Sequence, residues 1–199
     1  MTPETAWLPD SLIFGGLGVR VAARIDDVEI ARRGDRSDPV SREALEALFV
    51  LPEQEIVKNR GLPQWAVRAL GSAPGWAVER HPDGWIRTYR PPAHVAYVSV
   101  ADWTMSVEEQ LDELEWMSPI APRVVVTSMG EALQGIALVT ARAAGLAVAE
   151  GENAMWILES PSPSRVRLTC QRWWLAERVV ELRSSAGEPN ATPSPSDRG

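Results

Sequence analysis

The sequence predicts an α/β fold: a mixed sheet with helices, preceded by a small helical-plus-hairpin part. Three observations predict it. After Pro91-Pro92, apolar strand runs and helical runs follow in β-α-β-α-β order, the pattern of a sheet with parallel members. Before that point, short helical segments lead into two alternating runs around His81-Pro82-Asp83-Gly84, which is hairpin turn chemistry. The 199 residues are 45% hydrophobic and 24% charged, enough for a core without a disulfide or metal staple.

Val19, Val21, Ala23 and Ile25 alternate with Arg20 and Arg24. Val28 and Ile30 resume after Asp26-Asp27, so the pattern predicts an N-terminal β-hairpin or a single bent strand. Ser41 caps a helix through Val50, with Ala44, Leu45, Leu48 and Phe49 on one face, and Pro52 ends it. Glu53 to Asn59 adds a short helix. Pro63 opens another, running to about Leu70. Trp76 to Arg80 and Trp85 to Arg90 form the hairpin. Val95 to Val100 is a strand. Ser106 caps a helix bearing Val107, Leu111, Leu114 and Met117 at helical spacing. Val124 to Val126 is a strand buried on both faces. Met129 to Ala144 is a helix ended by Gly145, and Leu146 to Val148 and Met155 to Leu158 are strands. Val166, Leu168 and Cys170 alternate as an edge strand, and Gln171 to Arg183 form the last helix.

The organisation that follows has three parts. Residues 1–92 form the strand and helical-plus-hairpin part. Residues 93–183 form the α/β part with its C-terminal helix. Residues 184–199, rich in Ser, Pro and Gly, form a disordered tail. Net charge is −7 and pI about 5.0. Charge is uneven: residues 99–160 carry ten acids against Arg123 and Arg142, whereas residues 53–90 and 165–183 are net positive. Cys170 is the single cysteine, so no intrachain disulfide forms, and one Cys with two His falls short of a structural zinc set. Neither a metal nor a cofactor is expected. The first ten residues lack a basic n-region and apolar run, which points to the cytoplasm. Glu131 to Glu150 encloses an apolar run, but Gln134 and Arg142 interrupt it, so a buried helix rather than a membrane span is expected.

Several segments bear on function. Thr127-Ser128-Met129-Gly130 follows a strand and opens a helix, and looks like part of the nucleophile elbow of α/β-hydrolases. The first glycine position is Val126 and no His follows His94, so Ser128 reads as a helix N-cap and a serine hydrolase is a poor alternative. Residues 95–150, with "AYVSV", "VEEQLDEL", "RVVVTS" and "ARAAGLAV", resemble the strand–helix–strand half of restriction-endonuclease-like domains. That resemblance implies a metal site on the hairpin and on the strand Val95 to Val100. This strand offers Ser99 and then Asp102 without a Glu-x-Lys, which implies a catalytically degenerate site. Residues 41–92 resemble a winged helix: three short helices precede the hairpin, with "GLPQWAVRAL" as recognition helix and "GWAVERHPDGWIRTYRPP" as wing. The resemblance implies DNA or partner contact through Gln64, Arg68, Arg80, Arg87 and Arg90. Gly15-Gly16-Leu17-Gly18 lacks the Gly-Lys-Ser/Thr ending of a phosphate loop.

Glu108, Glu109, Asp112 and Glu113 form an acidic helix face suited to a basic partner. Trp173 and Trp174 diverge by about 100° on a helix, so one of them is a partner-surface residue unless that helix is packed on two sides. The expected function is a non-enzymatic cytoplasmic regulatory or partner-binding protein acting by surface recognition, with no assigned catalytic residue. The alternative is a DNA-associated or nuclease-like protein.

Overall fold

The computed structural model of the chain describes residues 5–8, 10–34, 40–102, 104–127, 141, 146–150, 155–158 and 168–187. It has an α/β architecture. Strands β1 (Ala6–Trp7) and β2 (Leu12–Phe14) lie antiparallel along one side of β3 (Leu17–Ile25), with Ala6 opposite Ala23 and Leu12 opposite Val19. Gly15 and Gly16 turn the chain between β2 and β3 with φ of 61° and 90°, and two consecutive positive φ values are what a tight two-residue hairpin requires. This accounts for the glycine cluster without a phosphate.

Val28 and Ile30 do not continue the strand. They lie in helix α1 (Asp27–Arg33), whose N-cap Asp26 accepts from the Glu29 N–H at 3.1 Å. Asp27 and Glu29 in its first turn and Arg32 and Arg33 in its last complement the helix dipole. These end signals outweigh a two-residue alternation.

The other side of β3 pairs antiparallel with β7 (Ala93–Val100), Val19 opposite Val100 and Ile25 opposite Ala93. The Asp26 N–H donates to the Pro92 carbonyl at 2.9 Å, closing a neck. Residues 26–92 are therefore an insertion between two adjacent strands of one sheet. The boundary expected at Pro91-Pro92 does not separate two units, because β3 before it and β7 after it are one ladder.

Inside the insertion, Ser41 caps α2 (Arg42–Phe49). Residues 53–59, expected as a helix, instead contain β4 (Ile56–Lys58), followed by a 3-10 turn at Asn59–Gly61. Gln54 at φ 58° interrupts helical geometry, and β-branched Ile56 and Val57 find a strand partner. After Pro63 comes α3 (Gln64–Ser72), then the hairpin of β5 (Val78–His81) and β6 (Gly84–Arg87), giving a three-stranded sheet in the order β4-β6-β5. Two α-helices, not three, thus lie between Ser41 and the hairpin. A Cβ on Gly84 would sit 2.1 Å from the Val57 carbonyl oxygen. Gly84→Ala is therefore expected to cost about 1–3 kcal/mol by overpacking, read as a lower urea midpoint.

After β7, Ser106 and Glu109 form a capping box on α4 (Val107–Leu114), and a 3-10 turn covers Glu115–Met117. Strand β8 (Val124–Thr127) meets β7 in parallel at Val98 and Arg123. The buried Gln110 amide donates to the Val126 carbonyl at 2.7 Å and accepts from its N–H at 3.0 Å, fastening α4 to β8. Strand β9 (Ala147–Glu150) runs parallel to β8, and β10 (Met155–Leu158) antiparallel to β9. Apart from Ala141, which is helical, the helix expected over residues 129–144 lies outside the described residues.

Of the expected strand at 166–170, residues 166 and 167 lie outside the described residues, and Cys170 opens helix α5 (Cys170–Gly187). The Thr169 hydroxyl accepts from the Arg172 N–H at 3.1 Å, an N-cap contact that favours helix over strand. The helix also runs through Ser184 to Gly187, which the sequence places in the tail. Helix α5 lies between two cores. Leu175, Val179 and Val180 pack with Val21, Val95 and Val98 of the sheet. Trp173 packs with Leu45, Leu48, Leu70, Trp85 and Tyr89 of the insertion. Among the described residues, no helix is long and apolar enough to cross a membrane.

Candidate functional site

The residues singled out in the sequence fall in different places. Gln64 and Arg68 are exposed one turn apart on α3, beside the exposed Trp65. Arg80 is exposed and lies over the Trp85 ring at 5.7 Å. Arg87 and Arg90 do not present free charge: both converge on Glu53, Arg87 at 3.9 Å and Arg90 through its Nε–H. Arg87 also donates to the Leu48 carbonyl and lies over the Trp173 ring at 5.4 Å. Arg87 thus ties the hairpin to α2 and α5, and Arg90 ties the chain beyond the hairpin to Glu53. Glu108, Glu109, Asp112 and Glu113 are exposed on α4, with Glu109 engaged by the Ser106 N–H at 2.8 Å. Trp173 is fully buried and is not a partner-surface residue. Trp174 is half-buried, its ring 4.8 Å from Phe14. The divergence of the two indoles is met by packing α5 on both sides.

Asp102 is engaged in a turn, accepting from the Thr104 N–H at 3.0 Å and hydroxyl at 2.6 Å, which lowers its carboxyl below the ordinary range. Ser99 is buried. Among the described residues, no group of three His, Cys, Asp or Glu side chains is placed to hold a metal ion. Ser128 lies outside the described residues. Burial pushes the Cys170 thiol up, away from thiolate reactivity.

A charged cluster lies buried between α1, the end of the hairpin and α5. Arg33 donates to the Tyr89 oxygen at 2.6 Å and to Glu177, and the Tyr89 hydroxyl donates to Glu177. The Arg33 guanidinium sits 4.6 Å from the Trp76 ring centroid. Burial pushes the Glu177 carboxyl up, and Arg33 and Tyr89 oppose that without cancelling it. Burial and the Glu177 charge push the Tyr89 phenol up as well. Three hydrogen bonds join these side chains while the buried Arg33 Nε–H has no partner among the described residues, and the cluster ties α1 and the end of the hairpin to α5.

The cleft at the neck of the insertion is different. It has a volume of about 990 Å3 and opens where β3 ends, β7 begins and α1 meets α5. Arg24 and His94 face each other across the β3–β7 ladder and both line it. Arg172 reaches it from α5, only 5% exposed, donating to the Val95 carbonyl at 2.8 Å. Arg90 and Arg183 complete the basic lining, opposed by Asp26 and Asp27. Asp26 is engaged as the α1 cap and Asp27 pairs with Arg183 at 3.5 Å. Burial lowers the His94 pKa, and Arg172 and Arg24 lower it further. The cations of the lining are engaged within the fold: Arg90 with Glu53, Arg183 with Asp27 and Arg172 with the Val95 carbonyl, and Arg24 is not without a partner.

No protein-family model, curated protein or solved structure matches the chain. The cleft was not visible in the sequence, because its lining comes from residues 6–8, 23–28, 90–94 and 168–183. The available signal was the net positive charge of residues 165–183, which includes Arg172 and Arg183.

Proposed function

We propose that the chain is a non-enzymatic, cytoplasmic regulatory protein that works by binding, and that the basic cleft is its ligand site, taking an anionic group. One observation carries this reading: Arg24, His94 and Arg172 share one cleft, and His94 is held below its ordinary pKa by the burial and the charges around it. The guanidinium fork suits carboxylate or phosphate oxygens. The exposed acids Glu108, Asp112 and Glu113 on α4 support a second, partner-facing surface of opposite sign.

The two histidines allow a direct test, because His81 lies in β5 and does not line the cleft. We expect the imidazole NMR titration of His94 to have its midpoint below the ordinary value of 6.5 in anion-free buffer. Sulfate, a dianion throughout this pH range, should raise that midpoint and leave His81 in place. By linkage, sulfate then binds more tightly as pH falls through the His94 titration. Without an anion the sign for stability is the reverse. The unfolded chain takes up the His94 proton first, so stability is present above about 6.5 and is lost as pH falls through the lower folded value. An equal response of both histidines to sulfate would remove the cleft as an anion site.

A further inference from the structure

We infer that Tyr89 is a buried one-electron redox site, giving an electron to an oxidant at the surface through the neighbouring indoles while its phenolic proton passes to Glu177. The inference is independent of the cleft. The Tyr89 ring is fully buried, with Trp76 edge-on at 4.8 Å between centroids and Trp173 tilted at 5.4 Å. Trp76 is 8% exposed, so the aromatic contact runs from the edge of the protein to the phenol. Electrons cross such contacts by tunnelling, and the oxidant stays outside the core. The three rings differ in where their protons can go. The Tyr89 hydroxyl donates to Glu177, and a carboxylate within hydrogen-bond reach is a positioned proton acceptor. Burial disfavours the charged carboxylate, which favours its taking the proton. The buried Nε1–H groups of Trp76 and Trp173 have no hydrogen-bond partner among the described residues, so an oxidised indole keeps both its proton and its positive charge. The Arg33 guanidinium lies 4.6 Å from the Trp76 centroid, and that of Arg87 lies 5.4 Å from the Trp173 centroid. Oxidising either indole therefore sets a second cation against a guanidinium in a poorly solvated place. Oxidising Tyr89 leaves a neutral ring. The indoles pass the electron, and the phenol ends as the radical. In the step, Tyr89 loses one electron, which the oxidant gains. The phenolic O–H bond breaks and an O–H bond forms on the Glu177 carboxylate. Reduction of the radical reverses both. Arg33, donating to the phenol oxygen at 2.6 Å, holds the ring in register with its acceptor.

The chain has two tyrosines, which makes the radical assignable. Tyr97 belongs to a different core cluster, with Ala22, Val124 and Val126. The test is flash photolysis of the full chain with tris(bipyridine)ruthenium(II) and a sacrificial electron acceptor, read by transient absorption and electron paramagnetic resonance. The photogenerated ruthenium(III) complex is the one-electron oxidant. Tyr97→Phe should retain the tyrosyl signal, which then belongs to Tyr89. Tyr89→Phe should lose it and leave the oxidation on tryptophan. Glu177→Gln keeps a hydrogen-bond acceptor but no base, and should slow radical formation by about a hundredfold, the lower end of what a positioned proton acceptor contributes. Heavy water should also slow formation in the unaltered chain, a reading that depends on no variant. Loss of the tyrosyl signal in Tyr97→Phe, or a signal from tryptophan alone in the unaltered chain, overturns the redox site. Equal rates in light and heavy water overturn the proton transfer to Glu177, and the proposal with it.

Discussion

Arg33→Met should lower the stability of the fold by about 3–5 kcal/mol, the range for removing one partner of a buried ion pair. Arg33 and Glu177 are both buried, and the Tyr89 hydroxyl is the remaining described hydrogen-bond partner of the carboxylate once the guanidinium is gone. A carboxylate buried at 1% exposure and left with the Tyr89 hydroxyl has little to compensate the loss of water. The double variant Arg33→Met with Glu177→Leu should recover most of the loss, because two apolar side chains suit that environment where a lone charge does not. The pH dependence fixes the assignment. Burial already raises the Glu177 pKa above 4.5 in the folded chain, and losing Arg33 raises it further. The contribution of a raised carboxyl is fully present below its unfolded value and is lost as pH rises through its folded value. The deficit of Arg33→Met should therefore be large at pH 7.5 and shrink toward pH 4.5. Urea midpoints at the two pH values read this directly. A pH-independent deficit would point to lost packing rather than a stranded charge.

The elements legible in the sequence are those written in local chemistry. Ser106 with Glu109 three residues on is a capping box, and the structure has both halves of it. Ser41 caps α2 through its side chain alone, accepting from the Ala44 N–H, and the His81-Pro82-Asp83-Gly84 turn joins β5 to β6. The elements misread are those decided by partners distant in the chain. The segment containing β4 has helical composition at Glu53-Gln54-Glu55, and it becomes strand because Ile56 meets Ile86 across a ladder. Val28 and Ile30 continue a strand alternation, and the Asp26 cap ends it. The pairing of β3 with β7 spans some seventy residues, and no local pattern announces it. The cleft inherits that difficulty. Arg24 meets His94 only through this ladder, and Arg172 arrives from α5. The hairpin arginines looked like phosphate readers because Glu53, which engages both of them, belongs to a segment expected to be helical.

Trp173→Ala is expected to destabilise the chain by about 3–5 kcal/mol, the range for truncating a buried aromatic residue. That corresponds to roughly 6–20 °C in melting temperature for a chain of this size. The indole has 0% exposure and stands where α5 meets the insertion, its ring 5.4 Å from that of Tyr89. The Arg87 guanidinium also lies over it, 5.4 Å from the ring centroid, and its carboxylate partner Glu53 also holds Arg90. Removing the ring therefore opens a cavity and takes away the platform under Arg87 at once. Trp174→Ala is the control on the adjacent residue. That indole is half-buried against Phe14, with Arg42 over its ring at 5.5 Å, so its loss should cost clearly less. Trp173→Phe should recover a good part of the loss, because the ring contact with Tyr89 survives and a smaller cavity remains. If Trp173 lay at a partner surface instead, Trp173→Ala would leave the melting temperature unchanged and weaken binding alone. The insertion would then owe its attachment to Leu48, Tyr89 and the Arg33–Glu177 pair, and Arg33→Met would become the only one of these variants able to detach it.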